Sequence, residues 1–219
     1  DARKLLNIIE LMVYSNLSEK EIIINNQNVT EKLQENMAFY DKDGEMHYDI
    51  ISAFIKSIRG SDPNAGVYWL ARMLEGGEDI KFIARRLVIL ASEDIGLANP
   101  NALLMANNCF QAITMIGMPE ARIILSQAVI YLATSPKSNT AYVAIDDALN
   151  LVKQTGNLPV PLHLRNAPTK LMKQLGYGAD YKYSHMGAGN FIDQDFLPEA
   201  IKGSSFYKTG QNVHEIKAK

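Results

Sequence analysis

The chain has 219 residues, 47% of them hydrophobic and 21% charged, with a formal net charge of −2. The hydrophobic content excludes wholesale disorder, and the near-neutral balance excludes a broad phosphate-neutralising surface, because affinity from counterion release needs clustered Lys and Arg. A single cysteine, Cys109, excludes an internal disulfide framework and favours a reducing compartment, and no run reaches the roughly 18 apolar residues of a membrane helix.

The first residues are charged (Asp1, Arg3, Lys4) and do not read as a signal peptide. No initiator Met is present, and Asp1 and Ala2 run directly into an amphipathic pattern of Leu5, Ile8, Ile9 and Met12. That beginning predicts a piece of a longer polypeptide, with a first helix over residues 2–14. A polar stretch, 16–28, surrounds the β-branched run Ile22, Ile23 and Ile24. Thr30 then caps a short helix holding Gln34, and 41–44 is a polar break and the first candidate domain boundary.

Next, Ile50, Ile51, Phe54, Ile55 and Ile58 lie at helical spacing, ended by Arg59 and Gly60. Asp62-Pro63 reads as an N-cap with proline at the first helical position. The helix it opens runs through Val67, Trp69, Leu70, Met73 and Leu74, and Gly76-Gly77 stops it. Glu78 and Asp79 stand where the dipole of a new helix favours negative charge, and Ile80, Ile83, Ala84, Leu87, Val88 and Leu90 follow. Asn99-Pro100 repeats the cap signal before a helix over 103–116. Gly117 and Pro119 separate that from a helix over 121–134. Ser138 reads as the cap of the last long helix, 141–155.

From Gly156 the character changes. Leu158-Pro159-Val160-Pro161 must be extended, because proline disfavours helix in the residue before it. One short helix, 168–175, is expected, then an irregular Gly- and Tyr-rich segment laid over the helices, loose after Gly210. The expected fold is all-α: a multi-helix bundle or collar with an irregular C-terminal segment.

No phosphate-cradling Gly-rich loop occurs; Gly187 and Gly189 lead into no helix. The histidines, His47, His163, His185 and His214, show no metal-ligand spacing, so no metal site is expected. Ser92-Glu93-Asp94 ends an apolar helix two turns after Arg85-Arg86. Glu93 or Asp94 as a general base, with His163, would make a hydrolase, whereas an ion-pair network with Arg85 or Arg86 is the structural reading and the one preferred. Arg165, Lys170 and Lys173 fall in a stretch with no acid between Asp147 and Asp180. With Tyr177, Tyr181 and Tyr183 they suit phosphate contact and base stacking, so a single-stranded DNA-binding module is the alternative function.

Several segments together carry a resemblance. They are His47-Tyr48-Asp49 with Ser52-Ala53, Lys56-Ser57-Ile58-Arg59-Gly60-Ser61-Asp62-Pro63, and Tyr68-Trp69-Leu70-Ala71-Arg72-Met73. Further on are Ala84-Arg85-Arg86-Leu87, Ala91-Ser92-Glu93-Asp94-Ile95-Gly96, and Tyr131-Leu132-Ala133 with Pro136-Lys137-Ser138-Asn139. Pro161-Leu162-His163-Leu164-Arg165-Asn166-Ala167-Pro168-Thr169-Lys170-Leu171-Met172 and Gly176-Tyr177-Gly178 complete the set. The chain resembles the RarA/MgsA family of clamp-loader-like AAA+ ATPases, which includes the eukaryotic Werner-helicase-interacting protein. The likeness covers most of the chain and is weak after Gly203.

The resemblance implies a division into a remnant of the AAA+ helical lid (1–40), a helical oligomerisation domain (45–198) and a loosely ordered tail (199–219). Asp1-Ala2-Arg3 would be the sensor-two motif, with Arg3 facing the nucleotide of a missing domain. No catalytic residue and no cofactor are expected in this piece; ATP and Mg belong to the parent protein. Implied partners are further copies of the chain in a homotetramer, with DNA and single-stranded DNA-binding protein through the parent, and no membrane. The implied setting is cytoplasmic and nucleoid-associated, at replication forks and in recombination. Trp69, Met73, Met105 and Phe110 are the candidate interface residues, since aromatics and Met favour interfaces.

Overall fold

The computed structural model describes residues 45–217 and 24–29, with Ile9 and Val13. The expected helix over 2–14, Arg3, the Thr30 cap with Gln34 and the break at 41–44 lie outside the described residues, as does most of the expected lid remnant. Residues 26–29 form a helical turn inside what reads as a polar stretch. A reciprocal cap starts it: the Asn25 N–H donates to Asn28 Oδ1 and the Asn28 N–H to Asn25 Oδ1, both at 2.9 Å.

Every regular element among the described residues is helical, and the fold is all-α. The chain divides into two compact units, Asp1–Asn139 with Gln211–Lys219, and Thr140–Gly210.

In the first unit, α1 (Glu45–Arg59) buries Ile50, Ile51, Phe54 and Ile58, the stripe its spacing predicts. α2 (Pro63–Glu75) starts where Asp62-Pro63 says it should, with the Ala65 N–H donating to Asp62 Oδ1 at 2.9 Å. α3 (Ile80–Leu90) is capped by Asp79, whose Oδ1 accepts from the Lys81 N–H at 3.0 Å. α4 (Asn101–Ile116) follows the Asn99-Pro100 signal, and Asn99 Oδ1 accepts from the Asn101 N–H at 3.2 Å. α5 (Ala121–Thr134) has the predicted bounds.

α1 packs on α2 and α5, α2 on α5, α3 on α4, and α4 on α5. The shared core holds Phe54, Ile58, Met73, Ile83, Leu87, Ile113, Leu125 and Leu132, all at most 1% exposed. Each such burial contributes about 1.5–3 kcal/mol. One position controls how closely the helices approach. A Cβ on Gly66 of α2 would stand 3.0 Å from Val129 Cγ1 of α5 and 3.3 Å from Ile58 Cγ1 of α1.

The second unit contains α6 (Thr140–Thr155), α7 (Lys170–Gln174) and short 3₁₀ turns. No residue from 140 to 210 is buried. Its irregular part is held by polar bonds instead of an apolar core. The Lys182 N–H donates to Gln194 Oε1 at 3.2 Å, and Gln194 Nε2 donates back to the Lys182 carbonyl at 2.8 Å. Lys202 Nζ pairs with Asp195 at 2.7 Å.

Residues 213–217 differ from the expected loose tail. They form α8 (Val213–Lys217), which belongs to the first unit, and its Glu215 is 2% exposed. A five-residue helix is not stable by propensity, so tertiary bonds must hold it.

Two outcomes test this packing. Gly66→Val should destabilise the chain by about 1–3 kcal/mol through overpacking, measured by urea unfolding. Burial pushes the Cys109 thiol up from 9.0 to about 11. Ellman's reagent at pH 8 should therefore react slowly with native protein and quickly in urea. Between those two values the folded chain keeps a proton the unfolded chain has lost. Its contribution is full below pH 9 and is lost as pH rises toward 11.

Candidate functional site

Three segments carrying the family resemblance meet at one corner of the first unit. α3 runs without a break into a π-helical turn, Ala91–Ile95, and then a 3₁₀ turn, Gly96–Ala98. The wider turn lets the Gly96 N–H reach the Ala91 carbonyl. It leaves Asp94 only 8% exposed.

Arg59, at the last turn of α1, holds both acids. Its Nε donates to Asp94 Oδ1 at 2.5 Å and its Nη2 to Glu93 Oε1 at 3.1 Å. The sequence pattern assigns this pairing to Arg85 or Arg86, and the structure corrects it. Arg85 lies 3.8 Å from Asp79, at the start of its own helix, with its guanidinium over the Phe82 ring. Arg86 makes no ion pair among the described residues. In an unbroken α-helix Arg86 and Glu93, seven apart, would share a face. The π turn breaks that register.

The loop after α5 completes the corner. Lys137 Nζ donates to the carbonyls of Leu132, Ala133 and Ser135 at 3.1, 2.9 and 2.6 Å, and to Ser61 Oγ at 3.1 Å. It is a cation at the negative end of a helix dipole. Burial lowers its pKa from the ordinary lysine value, and the charge of Asp94 opposes that. The Ser138 N–H donates to the Asp94 carbonyl at 2.8 Å. Gly96 has φ +45°, and a Cβ there would stand 2.9 Å from the Ser138 carbonyl oxygen, so only glycine fits. Ser138 Oγ donates to Glu215 Oε2 at 2.8 Å. Asn212 Nδ2 also donates to that carboxylate, and the Glu215 N–H returns a bond to Asn212 Oδ1 at 3.0 Å. These bonds tie α8 down.

Arg59, Lys137, Ser138 and Glu215 are thus members that residue patterns alone did not assign to the corner. Pro136-Lys137 directly after an apolar helix was the one local signal, because a cation is favoured at a helix C-terminus.

The corner is built for cohesion. Glu93 and Asp94 are engaged by an arginine, and among the described residues no hydroxyl or thiol nucleophile is bonded to either. His163 belongs to the second unit, where its Nε2 lies 2.8 Å from the Asp195 carbonyl oxygen. Among the described residues no group of three or more His, Cys, Asp or Glu could hold a metal ion, and no helix is long and apolar enough to cross a membrane.

The other predicted residues are spread out. Met73 is 1% exposed and sits inside the bundle, so it has no surface to offer a partner. Trp69, Met105 and Phe110 are half-buried, and the Arg72 guanidinium lies 5.4 Å from the Trp69 ring centre. In the second unit Arg165 is committed locally: Nε donates to the Val160 carbonyl at 2.7 Å, Nη1 to the Tyr177 hydroxyl at 3.1 Å, and the guanidinium lies over that ring. Lys170 and Lys173 are exposed on α7.

More informative is what lies exposed. Tyr142, Ile145, Leu149 and Val152 of α6 recur at spacings of three, four and three. They are 46, 55, 48 and 58% exposed. In the first unit, residues 95–119 contain no charged side chain. Leu104, Met115 and Met118 in that stretch are 61, 85 and 52% exposed.

Comparison with known proteins gives consistent matches along the whole chain. A family model described as "MgsA AAA+ ATPase C terminal" matches residues 60–219, and one described as "AAA C-terminal domain" matches residues 1–59. The chain is 45% identical over 221 residues to "Replication-associated recombination protein A" of Coxiella burnetii, covering 100% of this chain and 50% of the relative. It is 46% identical over 213 residues to the protein of that name from Bacillus subtilis, covering 96% and 50%. Against that of Escherichia coli K12 it is 38% identical over 219 residues, covering 97% and 48%. The chain therefore spans about half the length of these curated relatives.

Arg59→Met should cost about 1–3 kcal/mol in urea unfolding, because it leaves the nearly buried Asp94 without its donor. Glu93→Gln, at the wetter end of the same pair, should cost no more than about 1 kcal/mol.

Proposed function

The chain belongs to the family of MgsA AAA+ ATPase C-terminal domains, and from that premise we propose that it joins the subunits of an AAA+ ATPase acting in replication-associated recombination. ATP and Mg handling, DNA contact and any role as the lid of a nucleotide site fall to the whole protein in this reading.

The observation that carries the proposal is the absence of any buried residue from 140 to 210. A segment this long with no core of its own leaves apolar surface that association would remove from water. The α6 stripe has the three-four-three spacing by which paired helices interlock. The charge-free stretch 95–119 supports the same reading, since charge depletion marks the centre of interfaces. The partner proposed for these faces is a second copy of the chain, in a homotetramer. The roles expected for Trp69, Met105 and Phe110 give way to Ile145 and Leu149, which are more exposed.

Light scattering over a range of concentrations should give a mass of four chains. Ile145→Glu with Leu149→Glu should dissociate the assembly while leaving the far-ultraviolet circular dichroism unchanged, because neither side chain is part of a core. A strictly monomeric parent chain at high concentration rejects the proposal. An assembly indifferent to both substitutions rejects this face.

A further inference from the structure

A groove between α1 and α3 has a composition the corner network does not explain. It is a cavity of about 420 Å³ lined by Ile51, Ile55 and Phe82 together with Lys56, Arg59 and Arg86, and no acidic side chain lines it. The charge of Arg59 is met by Glu93 and Asp94. Lys56 and Arg86 have no ion-pair partner among the described residues. Arg86 Nε is buried and has no hydrogen-bond partner among the described residues. What lines the groove beside the apolar side chains is therefore the guanidinium of Arg86 and the ammonium of Lys56, and an oxyanion is the group that matches such a pair best.

We propose that this groove binds a peptide segment in which a carboxylate stands beside an apolar side chain. The carboxylate would sit between Arg86 and Lys56, taking charge-assisted bonds from both. The neighbouring side chain would cover Ile51 and Ile55.

One observation favours a peptide over single-stranded nucleic acid. Strand binding needs a charged track, whereas here Lys56 and Arg86, without ion-pair partners among the described residues, border one compact cavity. Tyr48, 70% exposed, also lines the groove, and its ring packs against that of His47.

The test uses the 219-residue chain and a fluorescein-labelled hexapeptide of alternating glutamate and leucine, followed by anisotropy at low salt. Binding should weaken as salt is raised. Arg86→Met and Lys56→Met should each weaken it about tenfold or more, the size expected for losing one charge-assisted bond. Lys56 is exposed, so its variant keeps the test valid if Arg86→Met fails to fold, which a melting curve shows. The glutamine version of the peptide should not compete. Three results overturn the proposal: no binding, binding unchanged in Lys56→Met, or an oligothymidine of equal charge competing as well as the acidic peptide.

Discussion

Apolar side chains leave water only where another surface receives them, and the two compact units of this chain differ in how far that has happened. In the first unit five helices converge on a shared core, and Phe54, Ile58, Leu87 and Leu132 lose essentially all contact with solvent. From 140 to 210 nothing is buried, although Tyr142, Ile145, Leu149, Phe191 and Phe196 are all present. Burial at roughly 25 cal/mol per Å² is the dominant favourable term in folding, so a segment that forgoes it must be held otherwise. Side-chain bonds such as those between Lys182 and Gln194 hold part of it locally. Association with further copies would supply the rest, and this imbalance makes assembly the functional reading with most support.

The corner around Asp94 does a different job. Its side chain fixes the end of α1 through Arg59, and its main-chain carbonyl fixes the loop after α5 through Ser138. Ser138 in turn holds Glu215 and with it the last helix. One π turn therefore links elements far apart in the chain. The close approach of Gly96 to the Ser138 carbonyl shows how little room the arrangement has. With Asp94 Oδ1 held by Arg59 and its main-chain carbonyl by Ser138, the corner suits a rigid mount.

The groove beside that corner has the opposite character, with Lys56 and Arg86 lacking ion-pair partners among the described residues. Arg59 lines the groove and also holds Asp94. A ligand there would touch the same arginine that braces the corner.

Much of this was legible in the residues because it is local. Asp62-Pro63, Asp79 and Asn99-Pro100 each mark a helix start through bonds spanning two or three residues, and the helices begin there. The apolar stripe of α1 follows from helical spacing alone, as does the all-α class, and family membership follows from long matched segments. What tertiary structure decided depends on partners far along the chain. Asp94 pairs with Arg59 and not with Arg86, because a π turn shifts a register that spacing takes as continuous. Met73 faces inward while Leu149 faces water, although both sit on amphipathic helices, because burial depends on which helices meet. The last described helix, Val213–Lys217, is held because Ser138 and Asn212 bond Glu215, and the bond from residue 138 to residue 215 is one that no local pattern announces.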